Sequence, residues 1–383
     1  MKTHAETAAV ESRAVGRREF VQSLALAGAS LAAGGAARAL AAGGAAEPKA
    51  TAGAPRIKLG MDNFAVRAME WKAPALLDYA ASIKLDSILI SDLDAFERFD
   101  RAYLQDVKAR AADRGVQIHV GTWSICPTST SFKNKWGTAE EHLALGIRVA
   151  KDLGSPVIRC ILGRGDDRRT PGGIDARIAD TVKVCKSQRS RALDAGVKIA
   201  VENHAGDMQA WELVRLIEEA GREYMGACMD SGNAAWTMED PLENLEILGP
   251  YTATTSLRDS AIWESEHGAT VQWTAMGEGT VDVKRYFQRY AELCPQVPVH
   301  IETISGFNRE IPYLDADFWQ AFPKARARDF ARFLALAKRG KPRAPYQAPQ
   351  GSDPRAAEQA YQKAELERSI KFCKESLHLG LKS

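Results

Sequence analysis

The chain has 383 residues, 45% hydrophobic and 26% charged, an ordinary globular composition. Fifty-one Lys and Arg against 49 Asp and Glu leave a net charge of +2, which gives no global drive toward nucleic acid. Six cysteines in such a length do not make a disulfide scaffold, and the length admits one large barrel or two to three smaller domains.

The first segment reads as an address. Arg17 and Arg18 stand side by side, followed by Phe20, an Ala/Gly/Leu-rich run from Val21 to Ala37, and the small-x-small exit Ala39-Leu40-Ala41. This order predicts a twin-arginine signal peptide over 1–41 rather than a membrane anchor, with cleavage near Ala41 and a flexible lead-in over 42–54. The expected location is periplasmic or extracellular, and the export machinery is an expected partner. Cargo of that route folds inside the cell, so the six cysteines are read as free thiols.

From 55 to 340 short apolar runs alternate with helical patterns. The predicted strands are Ile57–Met61, Ser87–Ser91, Val116–Thr122, Val157–Leu162, Val197–Glu202, Tyr224–Asp230, Thr252–Leu257 and Val297–Glu302. The predicted helices are Ala73–Ile83, Arg101–Arg114, Ala139–Leu153, Ile174–Ala195, Met208–Ala220, Pro241–Leu248, Val281–Leu293 and Ala325–Lys338. Eight strand–helix pairs are the count of an α/β fold of the (β/α)8 TIM barrel type. An open doubly wound sheet is the alternative, but no Gly-x-Gly-x-x-Gly turn follows the first strand. The last part, 341–383, reads as a Pro-rich linker and a C-terminal helix. Its stripe of Leu366, Ile370, Cys373 and Leu377 packs on the barrel or on a second copy of the chain, which leaves a homo-oligomer open.

Chemistry in such barrels sits at the C-terminal ends of the strands. Glu202, Asp230 and Glu302 end the fifth, sixth and eighth strands. Three carboxylates converging on one mouth repel, so a cation or a shared proton must relieve them. Each acid alone would read as a helix cap or an arginine partner.

The motifs Val201-Glu202-Asn203-His204, Asp230-x-x-Asn233, Leu257-Arg258-Asp259-Ser260, Gly277-Glu278-Gly279-Thr280-Val281-Asp282 and Ile301-Glu302-Thr303 resemble the sugar phosphate isomerase/epimerase family of xylose isomerase-like barrels. The resemblance covers about 55–340. It implies a divalent metal (Mn, Mg, Co or Zn) held by Glu202, Asp230, a strand-seven residue and Glu302, with Glu202 and Glu302 flanking a carbohydrate substrate as acid and base. Ser256 stands where the family's histidine ligand is expected, and Arg258 replaces a lysine. Three carboxylates and water then hold a weaker metal, or His267 or His300 fills the gap, or the metal is lost.

His204, Asn233, Arg258, Asp259, Glu278 and Trp123 are the candidate substrate contacts. His119 faces either the pocket or the core, and Arg164, Arg168 and Arg169 flank a Gly-rich turn that could cradle phosphate. Trp71, Trp123, Trp136, Trp236, Trp263, Trp273 and Trp319 follow strand ends and either wall a sugar site or pack loops together. The expected activity is isomerisation or epimerisation of a sugar or sugar derivative through an enediolate. Elimination by a lyase or dehydratase on a keto-sugar or keto-glycoside begins with the same proton removal. A non-catalytic sugar-binding barrel is the third reading. An abasic-site endonuclease would need a His-rich metal cluster that this chain lacks.

Overall fold

The computed structural model describes residues 56–382; the expected leader and its cleavage site lie outside the described residues, as does the lead-in. Eight parallel strands form one sheet in the order β10-β1-β2-β3-β4-β5-β6-β7. They are β1 (Leu59–Asp62), β2 (Ser87–Ile90), β3 (Gln117–Ser124), β4 (Val157–Ile161), β5 (Lys198–Glu202), β6 (Met225–Met229), β7 (Thr252–Thr255) and β10 (Val299–Ile301). The ring closes just past β7: Leu257 N–H donates to His300 O at 2.7 Å, and Glu302 N–H donates to Leu257 O at 2.9 Å. The strands are buried along almost their whole length, because helices cover the outside and side chains fill the inside.

The outer layer contains helices α1 (Ala73–Ser82), α2 (Arg101–Asp113), α3 (Ala139–Leu153), α4 (Gly173–Ser187), α5 (Arg189–Ala195), α6 (Ala210–Ala220), α7 (Ser231–Trp236), α8 (Pro241–Leu248), α9 (Val283–Leu293) and α10 (Ala327–Ala337). The expected helix Ile174–Ala195 is two helices that break at Gln188. Helix α3 starts on a reciprocal cap, Thr138 with Glu141, and ends on Gly154 at φ +75°. The C-terminal helix α11 (Pro354–Leu377) buries Leu366, Ile370 and Cys373 on the barrel, and Ser369 accepts from Met276 N–H at 3.0 Å. All six cysteines are free and buried.

The segment after β7 forms part of a second, three-stranded sheet. Residues Asp259–Ser265 (β8) and Gly268–Thr274 (β9) pair as an antiparallel hairpin, and Asn308–Ile311 (β11) joins on the other side of β9. This side sheet has its own core, in which Ile262, Val271, Trp273 and Ile311 meet Trp236 of α7 and Phe333 of α10. It therefore hangs over the strand ends as a built roof.

Glu239, between α7 and α8, is fully buried; it accepts from Ala210 N–H at 3.0 Å and Asn244 Nδ2 at 3.1 Å. Burial pushes its carboxyl from 4.5 up to about 8, with the Ala210 and Asn244 bonds opposing. The unfolded chain releases this proton near 4.5 and the folded chain near 8. The folded state therefore holds more protons in that window, and stability falls there as pH rises, by up to about 1.4 kcal/mol per pH unit. Glu239→Gln does not titrate. Between pH values at the two ends of this window, urea midpoints of the wild type should fall relative to those of the variant. A constant gap would contradict this.

Candidate active site

The side sheet and the strand ends enclose a cavity of about 390 Å³, the size of a small-molecule site. Its floor is built from a residue in the middle of β4 and residues at the ends of β5, β6, the β7 extension and β10. Asp230 caps α7, accepting from Gly232 N–H at 2.8 Å and Asn233 N–H at 2.9 Å. Asn203, just past β5, clamps the same residue by donating to Asp230 O at 2.8 Å and accepting its N–H at 2.9 Å. The Ser231 hydroxyl donates to Arg258 O at 2.6 Å and accepts Arg258 N–H at 3.0 Å, which fixes the arginine's backbone.

Four buried acids and two buried arginines share this floor. Arg159, in the middle of β4, donates from Nε to Glu202 at 2.6 Å and from Nη1 to Thr122 O at 3.0 Å. The guanidinium of Arg258 sits between Asp230 and Glu302 and contacts both. Asn233 Nδ2 donates to Asp230 at 2.6 Å and to Glu202 at 3.3 Å. Asp62, at the end of β1, accepts from Ser91 at 2.7 Å and from Ser256 at 2.9 Å.

The titration of these acids follows from their partners. Burial drives the Glu202 carboxyl up, but Arg159, with His204 and Arg258 adding to it, brings the pKa below the usual carboxylate value. Burial pushes Asp230 up to about 6, against Arg258. Burial also raises Asp62, against Arg159. A buried ion pair broken on one side costs about 3–5 kcal/mol, because the remaining charge is stranded. Glu202→Gln strands Arg159 and should lower stability by that amount, whereas Arg159→Met with Glu202→Leu should recover most of it. Urea midpoints of the single and double variants check this.

Of the acids, Glu302 lines the cavity and Glu202 does not; Glu202 is wholly buried behind Arg159. His204 lines the cavity too. Its Nδ1 bonds Gly163 O at 2.7 Å; since a carbonyl only accepts, Nδ1 carries the proton and Nε2 keeps its lone pair. Burial holds this imidazole down at about 4, so it is neutral at ordinary pH. Arg258 is 2% exposed at its side chain, and its Nε and Nη1 have no acceptor in the protein. Trp273 lies 4.0 Å from the Arg258 guanidinium, stacks on Trp236 at 4.1 Å and 7°, and Arg309 covers the far side of Trp236 at 3.9 Å.

The expected donor set does not suit a divalent ion in this arrangement. Arg258 fills the position between Asp230 and Glu302, and like charge excludes a second cation there. The Ser256 hydroxyl donates to Asp62 and is wholly buried, away from the cavity lining. Among the described residues no cluster of three His, Cys, Asp or Glu has a metal-holding arrangement. Neither histidine fills the gap. His300 bonds Ser87 at 2.6 Å inside the barrel, against the ring of the buried His119. His267 lies exposed on the β8–β9 turn, 3.5 Å from Asp315.

Trp123, Asn233, Arg258, His204 and Glu302 come together in the cavity. Asp259 and Glu278 do not. Asp259 is buried and holds the next loop, accepting from Gly277 N–H at 3.0 Å and Gly279 N–H at 2.9 Å. Glu278 faces the C-terminal helix, paired with Arg368 at 2.6 Å and with Arg343. The tryptophans divide: Trp123, Trp236 and Trp273 wall the cavity, while Trp71 packs on Tyr79 and Trp319 on Phe330. Arg168 is spent on Glu212 and Arg169 pairs with Asp317, so only Arg164 of that basic turn reaches the cavity. Sequence reasoning missed Arg159, Asp62, Arg67 and Arg309. A charged residue inside the apolar run Val157–Ile161 is the signal that marks Arg159.

The family described as the xylose isomerase-like TIM barrel matches residues 77–310. The chain belongs to that family. The 3-oxo-isoapionate decarboxylase of Pectobacterium atrosepticum is 20% identical over 210 residues, 54% of this chain and 69% of that protein. A D-psicose 3-epimerase solved in the presence of D-fructose shares 13% identity at a TM-score of 0.54, over 83% of this chain and 98% of that one. A xylose isomerase domain protein from Planctomyces limnophilus shares 17% identity at 0.51, over 73% and 98%. At these identities the solved structures establish the barrel, and the cavity lies at the strand ends, where TIM-barrel enzymes in general carry their chemistry.

Proposed function

We propose that this barrel is an isomerase or epimerase of a sugar or sugar derivative, moving a proton beside a carbonyl through an enediolate held by Arg258 in place of a metal. The observation that carries it is the buried Arg258, with N–H groups that no protein atom accepts, in a cavity that also holds the carboxylate of Glu302 and the lone pair of His204. Removal of a proton from carbon puts negative charge on the carbonyl oxygen. A fixed guanidinium in a dry site stabilises that charge without reorganising. Glu302 and His204 are the groups that can take and return the proton. Glu202 and Asp230 hold the two arginines in place, while Trp123, Trp236 and Trp273 offer flat apolar faces to a sugar ring.

A second reading is decarboxylation, favoured by the likeness to a protein named as a decarboxylase. Loss of carbon dioxide from a 3-oxo acid leaves an enolate, which Arg258 would stabilise in the same way, and one protonation completes it. Both readings are tested by incubating the protein with keto-sugars and 3-oxo sugar acids in deuterated water and following the products by proton NMR. Deuterium at the carbon beside the carbonyl, without loss of mass, supports the isomerase. Stoichiometric carbon dioxide supports the lyase. Neither outcome with any substrate would leave a sugar-binding barrel. The paired arginines of the leader support export as part of the same proposal, and the N-terminal sequence of the protein from a periplasmic fraction tests it.

A further inference from the structure

We propose that the substrate carries an anionic oxygen group, a carboxylate or a phosphate ester, held at the cavity mouth by Arg164 and Arg309 with Arg67. This rests on the proposed reading of the same site and adds the charge class of its substrate.

Five arginines line the cavity, and they fall into two kinds. Arg159 and Arg258, on the floor, are paired with Glu202 and with Asp230 and Glu302. The three at the mouth are not so matched. Among the described residues Arg164 and Arg309 make no ion pair, and the one acid that Arg67 pairs with is the surface residue Glu358, at 3.9 Å. Asp166 is the one acid lining the mouth beside them. Gathering like charges on a half-buried surface is unfavourable unless something of opposite charge binds there.

Aromatic faces hold two of these guanidiniums. Arg309 lies 3.9 Å from the centre of the Trp236 ring and Arg164 lies 5.6 Å from that of Trp123. A guanidinium resting on a ring keeps its edge N–H groups for a ligand, and their planar fork matches a carboxylate or phosphate. Arg309 comes from β11 of the side sheet and Arg67 from the loop after β1, so the anion would join the roof to the barrel. Burial depresses the Arg309 pKa, with Asp166 opposing it and Arg164 adding to the effect.

The test is quenching of tryptophan fluorescence, since three tryptophans wall the cavity. The full chain is titrated with D-glucose, D-gluconate, D-glucuronate and D-glucose 6-phosphate at low and high salt. At least one anion should bind about tenfold or more tighter than D-glucose, with affinity falling as salt rises. A preference for the acids identifies an oxidised sugar, and a preference for the phosphate identifies a sugar phosphate. In Arg164→Gln/Arg309→Gln the discrimination between anion and D-glucose should collapse, with an unchanged melting temperature. Arg309→Lys should restore part of it by keeping the charge. Equal binding of D-glucose and the anions, no saturable response to any anion, or undiminished discrimination in the double variant would overturn the proposal. Each of those results leaves the proton-transfer reading standing. Absent deuterium exchange with anion discrimination intact would instead remove that reading alone.

Discussion

Arg258→Gln is expected to abolish turnover and to lower stability by about 3–5 kcal/mol, the cost of leaving one side of a buried ion pair unmatched. Asp230 and Glu302 both contact this guanidinium, and both are buried. Without it they face each other as like charges, and Asp230 keeps only neutral donors, the Asn233 amide and the Gly232 and Asn233 N–H groups. At least one must then take up a proton, and the wild-type advantage in stability should widen as pH rises. The chemical effect is separate. Removing one fixed donor to a developing oxyanion costs about 10²–10³ in rate, and a full charge buried among aromatics costs more. The expected result is a variant that folds under stabilising conditions, binds ligand weakly and shows no deuterium exchange. Urea titration with NMR exchange checks both parts. Retained exchange in Arg258→Gln would remove arginine from the chemistry.

Glu302→Gln should lower turnover by about 10²–10⁴, the usual worth of a positioned acid or base, while ligand binding changes little. Glu302 follows β10 directly and its N–H bonds Leu257 O in the barrel seam, so its backbone is rigid. Glutamine keeps the side-chain shape and can accept from Arg258, but it cannot take a proton from carbon. Full progress curves and fluorescence titration of the same samples separate the two effects. A fall in affinity with turnover preserved would make Glu302 a binding group. The counterpart His204→Gln should also lower exchange and leave the fold intact, because the Gly163 O contact is retained by the amide.

The barrel was legible because its signal is repeated. Every strand begins and ends within two residues of the run that the apolar pattern marks, and Ala139–Leu153 and Pro241–Leu248 are helices over the whole expected span. The rim rule found Glu202, Asp230 and Glu302 as a group, and the structure gathers them with Asn233 and Arg258; Ser256, which the family resemblance added, bonds Asp62 instead. What the sequence hid was the cation. Arg159 lies inside a strand, one layer below the rim, where a reading limited to strand ends does not look. The role of Arg258 depends on a side chain that turns back between two acids, a feature of three-dimensional packing. The side sheet was hidden because β8 and β9 carry polar and aromatic residues in short alternation between the seventh and eighth barrel strands, and eight apolar runs elsewhere already fill the barrel's count. With it went Arg309, which β11 brings over the mouth from far along the chain. The Gly277–Asp282 motif proved to be a support: its loop is held by Asp259, and Glu278 points to the C-terminal helix.

The most direct measurement is calorimetric titration of the purified chain with manganese and zinc, paired with deuterium exchange before and after treatment with a chelator. An arginine-held floor predicts no stoichiometric binding at the strand ends, with exchange undiminished by the chelator. One ion bound per chain, lost in Asp230→Ala together with activity, would contradict it and return the positive charge of the site to a metal.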